Sequence, residues 1–298
     1  MRPFPPWARW PTGLRSKSAQ RCSQAVVDAF FLPTPQGERF CLLHVPPAGQ
    51  PCRGAVLYIH PLAEELNRCR RMASLQARAL ARCGFAVLQM DLLGCGDSFG
   101  DFSDATWDAW LSDVGAGRQW LAQRYDAPLW LWGVRAGCLL AAASTRQQPD
   151  VPARLLMWQP VVAGRQHLQQ FLRLRQMAEV VQGGGKVGTD ALLKQLEQGQ
   201  AVEVAGYALA PGLAQGLAEA TLDALVNVRQ VVCLEVVAPG QAQGYTASPA
   251  LAAQIQRWTS AGIAAQTTAV EGEAFWQLPE AQLCTALVDA TVAALVDA

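Results

Sequence analysis

The sequence has little of what marks several common classes of protein. Its 24 basic and 24 acidic residues cancel, so no net field favours nucleic acid or an anionic membrane surface as a partner. No apolar run approaches the roughly 20 residues of a membrane-spanning helix. The nine cysteines are scattered, odd in number and without a CxxC pair, which argues against a disulfide framework or a zinc site. These absences predict a cytoplasmic protein with reduced thiols and no bound metal.

Histidine is also scarce, and neither of the common phosphate-binding loop motifs is present. The chain has three histidines, of which the last is His167. The Gly-rich segment DLLGCGDS at 91–98 has no G-K-[ST] and no G-x-G-x-x-G before a helix, so it does not predict a nucleotide site. We therefore expect no cofactor.

Apolar residues make up 51% of the chain, and their order predicts alternating strands and helices. Such alternation implies right-handed crossovers and a parallel sheet covered on both faces. The strands are predicted at 25–32, 39–45, 54–60, 85–90, 129–132, 154–159, 231–237 and 264–270. Helices are predicted at 67–83, 105–125, 164–182, 189–199, 212–226, 248–261 and 277–296, with a further Ala/Leu helix closing the stretch 128–143.

Two segments depart from this alternation. Residues 1–24 combine basic residues with Pro and Trp and lack the continuous apolar core of a signal peptide, so we expect a flexible extension ahead of a domain at 25–298. Between about 160 and 228 the patterns are helical, apart from a strand-like run at 202–208 and a hinge-like break at 183–185. This predicts a helical cap inserted after the sixth sheet strand; the alternative is that these helices extend the core layers.

The stretch 128–143 reads as a strand, a tight turn and a helix. Its motif G-V-R-A-G at 133–137 has the layout of the nucleophile elbow of α/β-hydrolases, where a strained turn presents the central residue to the active site. The small neighbours allow strand and helix to pack closely. The central residue here is Arg135, whose guanidinium stays protonated and cannot attack as a nucleophile.

The other positions of a Ser-His-Asp triad also lack the expected residues. In this fold the carboxylate follows the strand near 231–237 and the histidine follows the last strand. The loop 238–249 contains no Asp or Glu, and Glu273 stands where the histidine is expected. Loss of a triad costs on the order of a million-fold in turnover, so the sequence predicts an eight-stranded, mostly parallel α/β-hydrolase fold without that mechanism.

The loop at 60–71 lies where this fold places its oxyanion-binding backbone, and it is dense in charged side chains. We expect Glu64 or Glu65 to pair with Arg135, because an enclosed guanidinium would otherwise be uncompensated. The alternative is a solvated helix start capped by Asn67, with charges arranged along the helix dipole. The candidate catalytic residues are Arg135, Glu64, Glu65 and Glu273. The candidate ligand-binding residues are Leu62, Asn67, Arg70, Arg71, Asp97, Ala136, Trp158 and Trp276.

A rearranged site is a further alternative, in which His60 activates Ser98 with help from Glu64. Against it, His60 ends an apolar strand, where a histidine is more often a hydrogen-bonded core residue. Cys95 and Cys138 also lie near the elbow; Cys138 begins an apolar helix and is expected to pack rather than react.

Four stretches together resemble a known group of proteins. They are YIHP…EELN…RRM at 58–72, DLLGCGDS at 91–98, LWGVRAG at 131–137 and GEAFWQ at 272–277. They resemble the second type of exosortase A system-associated hydrolase, an α/β-hydrolase group that accompanies exosortase and exopolysaccharide loci of Gram-negative bacteria, over about residues 25–290. The resemblance implies hydrolysis of an ester or thioester bond, and an arginine at the elbow is usual in that group.

Two functional hypotheses follow. In the first, Arg135 and the backbone N–H groups of Ala136 and Leu62 hold a carboxylate or oxyanion, while a glutamate acts as base. In the second, the cationic elbow of a non-catalytic protein binds an anionic saccharide or acyl ligand, with other exopolysaccharide-locus proteins as candidate partners.

Overall fold

The computed structural model describes residues 26–181, 188–223, 225–278, 280 and 282–297. The extension predicted at 1–24 and the hinge predicted at 183–185 lie outside the described residues. The strands are β1 (Val26–Thr34), β2 (Gly37–Val45), β3 (Gly54–Ile59), β4 (Phe85–Met90), β5 (Leu129–Val134), β6 (Ala153–Trp158), β7 (Val202–Val204), β8 (Tyr207–Leu209), β9 (Val228–Val237) and β10 (Ala264–Glu271). The helices are α1 (Glu64–Arg82), α2 (Trp107–Arg124), α3 (Gly137–Gln147), α4 (Gly164–Val181), α5 (Thr189–Glu197), α6 (Pro211–Glu219), α7 (Pro249–Ser260) and α8 (Thr285–Val296).

Eight strands form one sheet in the order β1-β2-β4-β3-β5-β6-β9-β10. The β1–β2 and β2–β4 pairs are antiparallel, and the remaining pairs are parallel. Alternate residues of the central strands enter two separate cores, one shared with α2, α3 and α7 and the other with α1 and α8. Because the central strands are buried on both faces, they are continuously apolar. The predicted α/β-hydrolase fold is confirmed.

Three helix boundaries differ from the prediction. Helix α1 begins at Glu64, and its N-cap is Ala63 with φ 48°, so Asn67 lies within the helix and the predicted Asn67 cap is wrong. Helix α6 ends at Glu219 rather than at 226, because Thr221 pairs with Ala163 as a β-bridge. Helix α8 begins at Thr285, leaving the residues after β10 free to form a turn.

Between β6 and β9 the chain inserts α4, α5, the hairpin β7–β8 and α6. The strand-like run at 202–208 is therefore this small separate hairpin rather than a strand of the main sheet. Helix α6 lies close on α2: a Cβ at Gly216 would stand 2.1 Å from Cβ of Trp107. Helix α4 turns one face toward the carboxyl ends of the parallel strands, and that face helps to build the site.

None of the helices in the described ranges combines the length and the apolar character that a membrane span requires.

Candidate functional site

The elbow is a sharp turn between β5 and α3. Arg135 occupies it with φ 54°, one residue beyond the strand and two before the helix. A Cβ at Gly133 would stand 2.6 Å from Cα of Cys138, and one at Gly137 would stand 2.3 Å from the carbonyl oxygen of Ile59. Real Cβ atoms do not approach backbone so closely, so both glycines are needed for this packing. The predicted strand–turn–helix is confirmed.

The guanidinium of Arg135 is held by an ion pair. Its Nε donates to Oε1 of Glu65 at 3.2 Å, and the two side chains are 15% and 11% exposed. Its terminal nitrogens make no hydrogen bond with any described residue, and Cζ stands 5.6 Å from the ring centroid of Trp276. The expected compensation of Arg135 is confirmed, with Glu65 rather than Glu64 as the partner. Burial raises the pKa of Glu65, and the charge of Arg135 opposes that rise.

Helix α4 adds a histidine that the sequence prediction missed. Nε2 of His167 lies 3.9 Å from Oε2 of Glu65. Burial, followed by the nearby charge of Arg135, lowers the pKa of His167 to about 3, so the imidazole is neutral at physiological pH. A signal was available: the cavity-facing residues of α4 have i, i+3, i+4, i+7 spacing, which marks one face of a helix. They are His167, Gln170, Phe171 and Leu174.

A cavity of about 350 Å³ opens over the elbow. The start of α1, the elbow, one face of α4 and the turn after β10 supply its walls. The lining residues are Leu62, Glu64, Glu65, Arg68, Arg135, His167, Gln170, Phe171, Leu174, Trp276 and Gln277. Oε2 of Glu64 and Oε2 of Glu65 are buried and accept no hydrogen bond from a described residue. Burial also raises the pKa of Glu64.

Two backbone amides occupy the chain positions that bind an oxyanion in α/β-hydrolases. They belong to Leu62, before α1, and to Ala136, directly after Arg135. Neither N–H donates a hydrogen bond to a backbone acceptor in the described chain, although both residues are buried. Unbonded buried N–H groups are rare in folded proteins, so these two amides are candidate donors to a ligand oxygen.

Glu273 and Trp158, two other candidates, are elsewhere. Glu273 is exposed on the turn after β10 and does not line the cavity. Trp158 packs in the core shared with α1 and α8, where its Nε1 donates to Oγ1 of Thr291 at 2.9 Å. Trp158 is the last residue of β6, and its side chain points to the face of the sheet that packs against α1 and α8.

The remaining polar candidates do not line the cavity. Nδ2 of Asn67 donates to the Tyr207 hydroxyl at 3.0 Å, which links α1 to the inserted hairpin. Arg70 pairs with Asp91 at 3.2 Å. The side chains of Arg71 and Asp97 are exposed. Of the predicted ligand-binding residues, only Leu62 and Trp276 line the cavity. Ala136 borders a separate small cavity between the elbow, α2 and α6.

The alternative site of Ser98, His60 and Glu64 is not assembled. Oγ of Ser98 donates to the carbonyl of Asp91 at 2.5 Å and accepts from the amide of Phe40 at 2.9 Å. Nδ1 of His60 donates to the carbonyl of Pro61 at 2.8 Å, and its Nε2 accepts from an amide. Because each side chain is engaged by backbone, His60 is a buried structural histidine with a lowered pKa rather than a base for Ser98.

The cysteines near the elbow are not activated. Burial raises the pKa of Cys95 to about 12 and that of Cys138 well above its ordinary value, whereas nucleophilic attack requires the thiolate. Across the described ranges, no serine or cysteine side chain bonds to a histidine, and no group of three acidic, His or Cys side chains is arranged to hold a metal.

A family model described as serine aminopeptidase, S33, matches residues 50–218, more than half of the 298-residue chain. The chain belongs to this α/β-hydrolase family. The match includes the oxyanion loop, the elbow and the inserted helices, and it ends within α6. The S33 family membership therefore covers most of the cavity walls, but not the turn after β10 that carries Trp276.

Solved structures agree with this S33 chain in fold. Est1E from Butyrivibrio proteoclasticus with ferulic acid bound is 14% identical, with a TM-score of 0.60 over 90% of this chain and 97% of that one. A thermostable carboxyl esterase from Bacillus coagulans in complex with glycerol is 12% identical, with a TM-score of 0.57 over 91% and 97%. No curated protein sequence matches the chain.

Proposed function

We propose that this S33-family chain binds an anionic group in the elbow cavity and does not hydrolyse substrates by a serine-hydrolase mechanism. The observation that carries the proposal is Arg135 at the elbow, a fixed positive charge where the fold presents its nucleophile. Support comes from the three histidines, because His44, His60 and His167 make no hydrogen bond with a serine or cysteine of the described chain.

The guanidinium is well arranged for a carboxylate. Glu65 holds Nε and so orients the planar fork, while the terminal nitrogens have no partner in the described ranges. A guanidinium fork matches a carboxylate with two parallel hydrogen bonds. The amides of Leu62 and Ala136 supply further donors, and a cavity of about 350 Å³ falls within the size of small-molecule sites.

Calorimetric titration with small carboxylates tests binding, and fluorophosphonate labelling with p-nitrophenyl and thioester substrates tests chemistry. We expect carboxylate binding that falls at least tenfold in Arg135→Gln and persists in Arg82→Gln, which removes an exposed arginine of the same charge. The Glu65→Gln/Arg135→Gln double variant keeps the test valid if the single variant folds poorly. Labelling of the wild-type protein, or binding that ignores Arg135, would contradict the proposal.

A second candidate, ester or thioester hydrolysis, is favoured by the two unbonded amides at the oxyanion positions. In it, Glu65 or Glu64 takes a proton from water, the water oxygen attacks the carbonyl, and Arg135 and the amides hold the oxyanion. The tetrahedral intermediate then breaks its bond to the alcohol or thiol, and the leaving group takes the proton back from the glutamic acid. Turnover that disappears in Glu65→Gln and survives in Glu38→Gln, a control on an exposed glutamate, would favour this candidate.

The resemblance to exosortase-associated hydrolases supports a narrower setting for either function. It suggests a cytoplasmic protein whose ligand is a saccharide or acyl group and whose partners belong to an exopolysaccharide locus. Deletion of the gene should then lower exopolysaccharide output, and restoration with Arg135→Gln should not recover it. Exopolysaccharide output that is unchanged by the deletion would contradict the link to an exopolysaccharide locus and would leave the binding proposal unaffected.

A further inference from the structure

The elbow cavity carries balanced charge rather than a positive field. Its walls include two acids, Glu64 and Glu65, and two bases, Arg68 and Arg135, while His167 is neutral because its pKa is lowered to about 3. A simple anion bound to Arg135 would add a negative charge beside two largely buried carboxylates. Like charges at close range in a desolvated site disfavour one another, so a ligand without net charge fits this cavity better.

Both acids also need hydrogen-bond donors. Oε2 of Glu64 and Oε2 of Glu65 are buried and make no hydrogen bond in the described chain. The neutral imidazole of His167 approaches Oε2 of Glu65 only to 3.9 Å, and Glu65 is 8% exposed overall. An unpaired buried acceptor is unfavourable, and more so when it is charged. A cationic donor on the ligand would satisfy both oxygens, since an ammonium group has three N–H bonds to offer.

We propose that the ligand is a zwitterionic amino-carboxylate with an apolar side chain, its carboxylate on Arg135 and its ammonium between Glu64 and Glu65. The inference rests on the proposed function and adds the second charged group. The spacing between the two charged groups of the ligand follows from Glu65. Its Oε1 accepts from Arg135, while its Oε2 has no hydrogen-bond partner in the described chain. Because the carboxylate of Glu65 borders both positions, a ligand whose two charges are close together, as on one α-carbon, fits this arrangement.

The rest of the cavity suits the apolar part of such a ligand. Phe171 and Leu174 line it from α4, Leu62 from the loop before α1, and Trp276 from the turn after β10. Arg68 donates to the Trp276 carbonyl at 3.3 Å, which ties that turn to α1. Apolar walls with a few convergent polar groups are the usual composition of small-ligand sites.

Two matched ligand series test the inference by titration calorimetry. One is L-leucine, 2-hydroxy-4-methylpentanoate, 4-methylpentanoate and 3-methylbutylamine; the other is L-phenylalanine, 3-phenyllactate, 3-phenylpropanoate and 2-phenylethylamine. Within each series the apolar group is constant and the ammonium or the carboxylate is removed. We expect the amino acid of at least one series to bind at least tenfold more tightly than every analogue in that series.

Glu64→Gln, which keeps the shape of the side chain, should reduce the preference for the amino acid over the des-amino acid at least fivefold. It should strengthen rather than weaken des-amino acid binding, because it removes a negative charge beside the bound carboxylate, and Glu38→Gln should change neither affinity. Des-amino or hydroxy acids that bind as tightly as the amino acids in both series, with dependence on Arg135, would overturn this inference and leave the proposed function standing. Absence of binding by every carboxylate would overturn both.

Discussion

Arg135 adopts φ 54°, a left-handed conformation that costs a non-glycine residue about 1–3 kcal/mol. Its charge is also largely withdrawn from water, and only Glu65 pairs with it in the described chain. A side chain that is both strained and partly buried is stable only when its surroundings compensate it. At the scale of residues, the site therefore depends on a few named contacts, and these can be removed one at a time.

Replacing Arg135 with Gln should lower the free energy of unfolding by about 2–4 kcal/mol, because Glu65 is left without its partner in a largely buried position. Adding Glu65→Gln should recover most of that loss, since the uncompensated charge is then gone. Urea unfolding of the wild type, both single variants and the double variant measures this coupling. A double variant as unstable as Arg135→Gln alone would show that the pair is not responsible.

The stability cost of Arg135→Gln should also depend on pH. Burial raises the pKa of Glu65 above 4.5, and Arg135 opposes that rise, so removing Arg135 raises the pKa further. A raised carboxyl pKa means that folding takes up a proton, and the folded state loses stability as pH rises from 4.5 through the folded pKa. The deficit of Arg135→Gln should therefore grow with pH and shrink toward pH 4.5, and should be flat with pH in the Glu65→Gln background.

His167 should remain neutral well below neutral pH, because burial and the charge of Arg135 lower its pKa from 6.5 to about 3. In NMR spectra its imidazole shifts should not titrate between pH 8 and pH 5. The unfolded chain does take up this proton, so stability present above pH 6.5 is lost as pH falls toward 3. The loss of folding stability on acidification should be shallower in His167→Gln. An NMR titration midpoint near pH 6.5 would show instead that the imidazole is exposed to water.

At the scale of elements, the site is built where α3 is pressed against the end of β3 and the loop that follows it. Gly137 is the point of contact, and its missing side chain is what lets the helix approach. The inserted helix α4 closes the other side with a single face. Helices α3 and α4 belong to different parts of the chain, and together they fix the position of Arg135 relative to the cavity walls.

Gly137→Ala should destabilise the protein by about 3 kcal/mol, because the new Cβ would lie 2.3 Å from the Ile59 carbonyl oxygen and backbone must move. The matched control is Gly188→Ala, which has nothing within 4 Å and should change stability by less than about 1 kcal/mol. Thermal and urea unfolding distinguish the two. Equal effects would mean that the elbow is not tightly packed.

At the scale of the whole molecule, a triad draws its members from three loops at the carboxyl edge of the sheet. This chain has Arg135 at the first of these positions and no histidine beyond His167. The fold brings the three positions to one edge, but the edge carries a different set of groups. Restoring one member should therefore not restore the chemistry.

Arg135→Ser should place a hydroxyl at the elbow and still show no more fluorophosphonate labelling or p-nitrophenyl ester turnover than Arg135→Gln. The reason is that no histidine occupies the triad position after the last strand, and a serine without a paired imidazole is a weak nucleophile. Labelling of Arg135→Ser above that control would mean that a described histidine can reach the elbow and that the vacant-triad interpretation is wrong.

The order of strands and helices could be predicted from the sequence, because buried parallel strands are continuously apolar and each is followed by a helical pattern. The sequence also predicted the elbow, whose glycines are a local requirement. Three features of the site required the folded structure: Glu65 rather than Glu64 pairs with Arg135, Trp158 packs in the core shared with α1 and α8, and α4 brings His167 to the cavity. Those outcomes depend on where α1 begins and how the insertion packs. Local spacing marks the face of α4 that carries His167, but it does not say which distant segment that face contacts.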